Sequence, residues 1–194
     1  RQAGVKAIHL EEESNLIDMT TERLASGKVV GWQQGRFEWG PRSLGNRSIL
    51  ADPRSADMKD LVNTKVKFRE PFRPFAPAVL ADRAGEYFGL LDVHQQMTAR
   101  FMLLVVPVNE DKQDVIPAVN HLGTARVQTV YQETNPMYHD LIRRFGEATG
   151  VPVLLNTSFN VRGEPIVNTP EDAIKTFLDS GIDTLVLGNY LLDK

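Results

Sequence analysis

Apolar positions along the 194-residue chain alternate between helical and extended spacing from end to end. Asn15-Leu16-Ile17 through Leu24 follows the helical interval, and Gly27, which tolerates positive φ, is a natural stop, so a helix is predicted over residues 15–26. Lys28-Val29-Val30-Gly31-Trp32 reads as a short buried strand, followed by a polar, glycine-rich loop from Gln33 to Asn46. Residues 55–64 place Met58, Leu61 and Val62 on one face of an amphipathic helix. Three prolines between Pro71 and Pro77 exclude a helix interior and impose an extended, rigid path. Ala78-Val79-Leu80, Phe101–Val108 and Ala125–Tyr131 are predicted strands, with a polar loop over residues 109–120. Asn135-Pro136 supplies an N-cap and a first helical residue for a helix through Leu141, Ile142 and Phe145 to a stop near Gly150. Val151–Leu155 is a buried strand that ends in the polar turn Asn156-Thr157-Ser158-Phe159-Asn160. Thr169 caps a last helix, with Asp172 placed to reach back, and Thr184–Leu187 is the final strand after Gly181. Alternation of this kind belongs to an α/β or α+β architecture, and with no repeat or long linker it predicts one domain.

Composition narrows the chemistry. At 42% hydrophobic and 24% charged residues the chain is an ordinary globular one. It has no cysteine, which excludes disulfides, thiolate zinc sites and a cysteine nucleophile. The best candidate for a membrane span, Met102–Val108, is strand-sized, so no span is expected and the cytoplasm is the expected location. The chain opens on Arg1-Gln2-Ala3, with neither an initiator methionine nor a signal peptide, as though cut from something longer. The net charge of −3 argues against DNA packing, but it is an average. Residues 36–73 hold nine basic and five acidic side chains, a net +4, which leaves −7 on the rest. A basic stretch in an acidic protein points to a local anionic ligand; a solvated face with scattered ion pairs is the alternative.

Three groups of residues could carry chemistry. In the loop Gly35–Arg47, three glycines let the backbone approach a ligand, and Arg36, Arg42 and Arg47 offer donors for phosphate or carboxylate. The loop matches neither a Walker motif nor a dinucleotide fingerprint. Along Lys65-Val66-Lys67-Phe68-Arg69-Glu70-Pro71-Phe72-Arg73-Pro74, an extended backbone would send Lys65, Lys67, Arg69 and Arg73 to one side as a ridge, with Phe72 and Phe75 packed beneath the prolines. A polyphosphate suits such a ridge; single-stranded RNA stacked on the aromatics is the competitor. The third group, Asn156–Gly163, follows the carboxyl end of a buried strand, where open α/β sheets place ligands, and could equally be a self-capped turn. His9, His94, His121 and His139 lack metal-ligand spacing, and Ser43 and Ser158 lack a partner for a triad. What remains is anion binding by arginine and lysine, which suits phosphoryl or nucleotidyl transfer.

The blocks Gly35-Arg36 … Gly40-Pro41-Arg42-Ser43-Leu44-Gly45-Asn46-Arg47-Ser48-Ile49, Arg69-Glu70-Pro71-Phe72-Arg73-Pro74-Phe75-Ala76-Pro77 and Asn156-Thr157-Ser158-Phe159-Asn160 resemble the carboxyl-terminal domain of NodU/CmcH-type O-carbamoyltransferases. The resemblance runs from about residue 15 to the end. It implies a YrdC-like α/β domain over residues 15–194, a twisted mixed parallel/antiparallel sheet flanked by helices, with residues 1–14 as a fragment of interdomain linker. It implies that ATP and carbamoyl phosphate are converted to carbamoyl-adenylate, with Mg²⁺ on the phosphates. An amino-terminal transferase domain that binds iron would then pass the carbamoyl group to a substrate hydroxyl. Carried over by motif, Arg42, Lys67, Arg73 and Arg126 are the expected catalytic ligands of carbamoyl phosphate and the ATP phosphates. Arg36, Asn46, Arg47, Arg69, Asn156, Ser158 and Asn160 are expected at the nucleotide, with Arg69 a rival to Arg73. No metal ligand is expected in this half, and Trp39 and Ser43 receive no role. An RNA-binding module and a non-catalytic docking domain are the alternatives.

Overall fold

The computed structural model describes residues 5–194. Its elements are β1 (Lys6–His9), α1 (Glu13–Ala25), β2 (Val30–Gln33), β3 (Arg47–Ala51) and α2 (Asp57–Leu61), which runs on into a π-helical turn, Val62–Val66. After β4 (Ala76–Leu80) come two short helices, α3 (Ala84–Tyr87) and α4 (Met97–Arg100), and the strands β5 (Val105–Pro107), β6 (Thr124–Arg126) and β7 (Gln128–Val130). The last third holds α5 (Pro136–Thr149), β8 (Val153–Ser158), α6 (Pro170–Asp179), β9 (Thr184–Leu187) and β10 (Tyr190–Asp193). Eight strands form one sheet in the order β1-β10-β9-β2-β3-β8-β4-β7, and β5 and β6 pair separately. The pairs β2–β9 and β4–β7 are parallel and the others antiparallel, so the sheet is mixed, as the resemblance implies. No helix among the described residues is long and apolar enough to cross a membrane.

Central strands are buried on both faces, which is why they read as apolar runs rather than alternating ones. One face packs Leu16, Ile17 and Leu24 of α1 and Leu141, Ile142 and Phe145 of α5 against Val30, Trp32, Leu50 and Leu154. The other packs Met58, Val62 and Phe177 against Ile49, Val79 and Leu155. Both predicted caps form: Asn135 Oδ1 accepts from Tyr138 N at 3.2 Å, and Thr169 and Asp172 exchange a capping box.

Several expectations are corrected. Residues 6–9, expected as linker, form β1 and pair with β10; residues 1–4 of that segment lie outside the described residues. Arg47–Ala51, unassigned in the sequence, is the central strand β3. The expected strand Ala125–Tyr131 divides at Val127: β6 pairs with β5, whereas β7 pairs with β4 in the main sheet. Phe101–Val108 contributes strand only at Val105–Pro107.

The loop between β2 and β3 folds back over the end of the sheet. Trp32 Nε1 donates to Gly45 O at 2.8 Å and Gly45 N donates to Ser48 Oγ at 3.1 Å. Gly45 has φ +111°, and a Cβ there would stand 2.6 Å from Tyr138 Cγ. Gly45→Ala combines a strained backbone with overpacking and should lower stability by about 3 kcal/mol. Gly27→Ala, at φ +82° but facing open space, should cost about 1 kcal/mol. Urea unfolding midpoints of the two variants check the difference.

Candidate functional site

β4 begins at Ala76, opposite Asn156, so Thr157 and Ser158 extend past it with one edge unpaired. A cleft opens there, in three adjoining parts that share lining residues. An outer part of about 370 Å³ is lined by Arg42, Arg69, Arg73 and Arg126 beside Phe75 and His121. An inner recess of about 110 Å³ lies among Arg42, Ser43, Arg69, Arg126, Asn156 and Ser158. A side arm of about 240 Å³ reaches Lys67, Ser158, Asn160 and Arg162. Three distant segments, the β2–β3 loop, the 67–73 loop and β6, therefore deliver the cations to one place.

These cations are poorly compensated. Among the described residues, the one carboxylate ion-paired in the cleft is Glu70, 2.9 Å from Arg73. Arg126 and Arg42 each keep a buried Nε without a partner. Burial, and then the Arg42 charge, push the Arg126 guanidinium down from its ordinary range. Arg69 is lowered by burial and by the charges of Arg73 and Arg126, against the pull of Glu70. Holding like charges together without counter-ions is unfavourable until an anion arrives.

Neutral dipoles position them instead. Phe68 takes φ +49°, which turns Lys67 inward and Arg69 toward the cleft. Lys67 Nζ donates to Ser158 O (2.8 Å), Asn160 O (2.9 Å) and Asn160 Oδ1 (2.7 Å), with Ser158 Oγ at 3.3 Å. Arg69 Nε donates to Asn63 Oδ1 at 2.7 Å, and the guanidinium lies 4.8 Å from the centroid of the Phe75 ring. Asn63 Nδ2 donates to the carbonyls of Pro71 (3.2 Å) and Arg73 (3.1 Å), tying down the proline-rich loop. Burial, then the Arg69 charge, push the Lys67 ammonium down to about 7.

The expected residues divide. Arg42, Lys67, Arg69, Arg73, Arg126, Asn156, Ser158 and Asn160 meet at the cleft. Arg69 borders all three parts, whereas Arg73 is exposed at the rim. Arg47 does not reach it: its guanidinium donates to the carbonyls of Gln34 (2.7 Å), Asn46 (3.0 Å), Gly35 (3.2 Å) and Asn168 (3.4 Å), clamping the β2–β3 loop. Arg36 is exposed outside the cleft. Asn46 lines a separate cavity of about 220 Å³ with Glu38 and Asn135. The ridge expected from Lys65 to Arg73 is not extended: Lys65 sits exposed on the π turn while Lys67 is buried. Phe75 is buried, but Phe72 is exposed rather than packed under prolines.

Residues the sequence reading passed over are those that position the rest. Asn63 is a polar residue on the buried side of an amphipathic helix and broke the pattern visibly, whereas Gln128 sits in a strand of mixed character, Gln128-Thr129-Val130, and carried no such signal. Glu38 Oε1 accepts from Leu44 N (2.7 Å) and Asn46 N (2.6 Å) to shape the loop, while burial pushes its carboxyl up. A larger cavity, about 460 Å³, lies at the end of α1, where Arg23–Asp193 (2.9 Å) and Lys28–Asp183 (3.6 Å) already satisfy each other.

Comparison with known proteins fits this geometry. Residues 21–194 match the family model described as "Carbamoyltransferase C-terminus". The chain belongs to that family. Among relatives of this carbamoyltransferase domain, the nodulation protein NolNO of Sinorhizobium fredii is 51% identical over 96% of the chain and 27% of the relative. The 3'-hydroxymethylcephem-O-carbamoyltransferase of Amycolatopsis lactamdurans is 40% identical over 89% of the chain and 32% of the relative. The chain thus spans about a third or less of these proteins. Solved structures share the domain's fold at low identity. Sua5 of P. abyssi, complexed with L-threonine, superposes with a TM-score of 0.64 at 18% identity, covering 92% of this chain and 48% of that one. Full-length HypF, in a phosphate- and nucleotide-bound form, gives 0.62 at 18%, covering 91% and 25%.

An anion held at this cleft should bind with a pH dependence set by Lys67. Its ammonium is intact below about 7 and is lost as pH rises through that value. Sulfate keeps its charge over this range, and its affinity should fall by up to about tenfold from pH 6.5 to 8.5. Lys67→Met should bind weakly with little pH dependence. Calorimetry of both proteins in a His121→Gln background, which removes the imidazole lining the cleft, checks the sign.

Proposed function

We propose that this domain activates a carbamoyl group as carbamoyl-adenylate. The observation that carries the reading is the convergence of Arg42, Arg69 and Arg126 on one recess with no carboxylate among its lining residues. Uncompensated charge of this kind fits a polyanion, and the outer part and side arm, about 370 and 240 Å³, offer room for further phosphates. The substrate chemistry rests on membership of the family and on the relative whose name describes transfer to a hydroxymethylcephem.

In this reading water cleaves carbamoyl phosphate to carbamate and phosphate. A carbamate oxygen then attacks the α-phosphorus of ATP; the new O–P bond forms as the bond to pyrophosphate breaks, and pyrophosphate leaves with the electron pair. Arg42, Arg69 and Arg126 hold the two anions close enough to react, and Lys67 and Arg73 neutralise charge growing on the leaving pyrophosphate. No protein nucleophile is needed. Mg²⁺ would supply further neutralisation of phosphate charge. Glu70 is the one carboxylate among the lining residues, so the phosphates rather than the protein would hold that ion. Transfer to an acceptor hydroxyl belongs to an amino-terminal domain of a longer chain, as the length of the relatives fits.

The test is isotope exchange between pyrophosphate and ATP, with carbamate supplied from carbamoyl phosphate. Arg42→Ala and Arg126→Ala should each reduce exchange by about 10²-fold or more with the melting temperature little changed. Exchange at the wild-type rate in both variants, or no exchange and no ATP binding in the wild type, would overturn the reading.

A further inference from the structure

The cavity of about 220 Å³ between β7 and the start of α5 shares no lining residue with the cleft. Leu44, Phe101 and Val130 give it apolar walls, and two side chains of opposite charge, Glu38 and Arg100, border it without pairing to each other. Arg100 ends α4, and among the described residues its guanidinium makes neither a hydrogen bond nor an ion pair. Stacking holds it instead: its Cζ stands 3.8 Å from the centroid of the Tyr131 ring, and the Tyr131 hydroxyl donates to Val93 O at 3.1 Å, which anchors the ring. A guanidinium gripped through its face keeps its N–H edge for a carboxylate or phosphate. Glu38 is anchored by the loop. Its Oε1 accepts from Leu44 N (2.7 Å) and Asn46 N (2.6 Å), which holds the carboxylate at the cavity wall. Burial pushes this carboxyl up, against those two hydrogen bonds and the charge of Arg47, whose guanidinium is spent on backbone carbonyls. A cation in the cavity would relieve that cost.

A plain anion would satisfy Arg100 but bring a like charge to Glu38, and a plain amine would do the reverse. A molecule that carries both charges satisfies both, and an aliphatic group on it would cover Leu44, Phe101 and Val130. We propose that this cavity binds an α-amino acid with an aliphatic side chain, its carboxylate on Arg100, its ammonium on Glu38 and its side chain on the apolar walls. A space of about 220 Å³ falls below the roughly 300–1,000 Å³ of pockets that take larger ligands and suits a molecule of this size. The site is separate from the anion cleft and requires nothing of the adenylation chemistry.

Calorimetric titration of the 194-residue chain with L-leucine and L-valine tests it, alongside the N-acetyl and amide derivatives of each, which lack the cation and the carboxylate respectively. At least one of the two amino acids should bind, and both its derivatives should bind at least about tenfold more weakly, since a site built for a polar group rejects the molecule lacking it. Arg100→Met keeps an apolar stem on Tyr131 and removes no hydrogen bond, so the melting temperature should hold while the preference for the amino acid over its amide falls to near one. Glu38→Gln keeps an acceptor for the two loop amides, and the preference over the N-acetyl derivative should fall likewise; if that variant does not fold, Arg100→Met decides. Amino-acid binding that survives Arg100→Met at wild-type strength, as it would with the carboxylate among the cleft arginines, overturns the proposal. Equal affinity for the amino acid and its derivatives overturns it, and so does the absence of binding by both amino acids. None of these outcomes touches adenylation, which isotope exchange tests separately.

Discussion

Arg42, Arg69, Arg126 and Lys67 repel one another, and the surrounding structure supplies almost nothing of opposite charge to relieve them. Carboxylates placed among them would stabilise the empty cleft, but a ligand would then have to displace those partners before it could bind. The chain uses carbonyls, side-chain amides and an aromatic ring instead. Asn63 holds Arg69 in place, Phe75 lies beneath its guanidinium, and the Ser158–Asn160 turn receives Lys67. Dipoles fix geometry while leaving the net charge of the site available, which is the preorganisation that charge-stabilising catalysis requires. The cost is borne by the sheet, whose strands β3 and β4 are buried through their length and β8 from Val153 to Asn156.

The same residue type does different work a few positions away. Arg47 spends its guanidinium on four carbonyls, and Arg54 meets Asp52 at 2.6 Å. Neither is available to a ligand. The excess charge of residues 36–73 is thus partly structural, and what marks the cleft arginines is where the fold brings them together rather than their place in the sequence. Arg126 lies outside that stretch altogether. It reaches the cleft because the chain leaves the main sheet for the short β5–β6 ribbon and returns at Gln128.

Where local chemistry decides the structure, the sequence was legible. Asn135-Pro136 and Thr169 with Asp172 carry their own capping partners within three residues, so α5 and α6 could be read directly. The apolar run before Asn156 likewise announced β8. Long-range pairing was not legible. β3 is five residues long, starts on a charged side chain and follows a glycine-rich loop, so its apolar core of Ile49 and Leu50 is too short to signal a strand. The 65–73 segment misled through its alternation of charges, since a π turn and a left-handed Phe68 break the extended register. Of the site, the arginine-rich blocks were visible as motifs. The residue that aims Arg69, Asn63, was visible only as a polar residue in apolar company, because its partners lie six to ten residues on, across an irregular loop.

Charge alone makes a broad demand on a ligand at this cleft. In the proposed reading the four cations set affinity for a compact anion, with Lys67 adjusting the total because burial brings its ammonium down to about 7. An arriving anion favours the protonated lysine, so binding and proton uptake are linked, and the relief of repulsion stabilises the fold in the same step. That term cannot separate one small anion from another, since isosteres with equal charge gain equally.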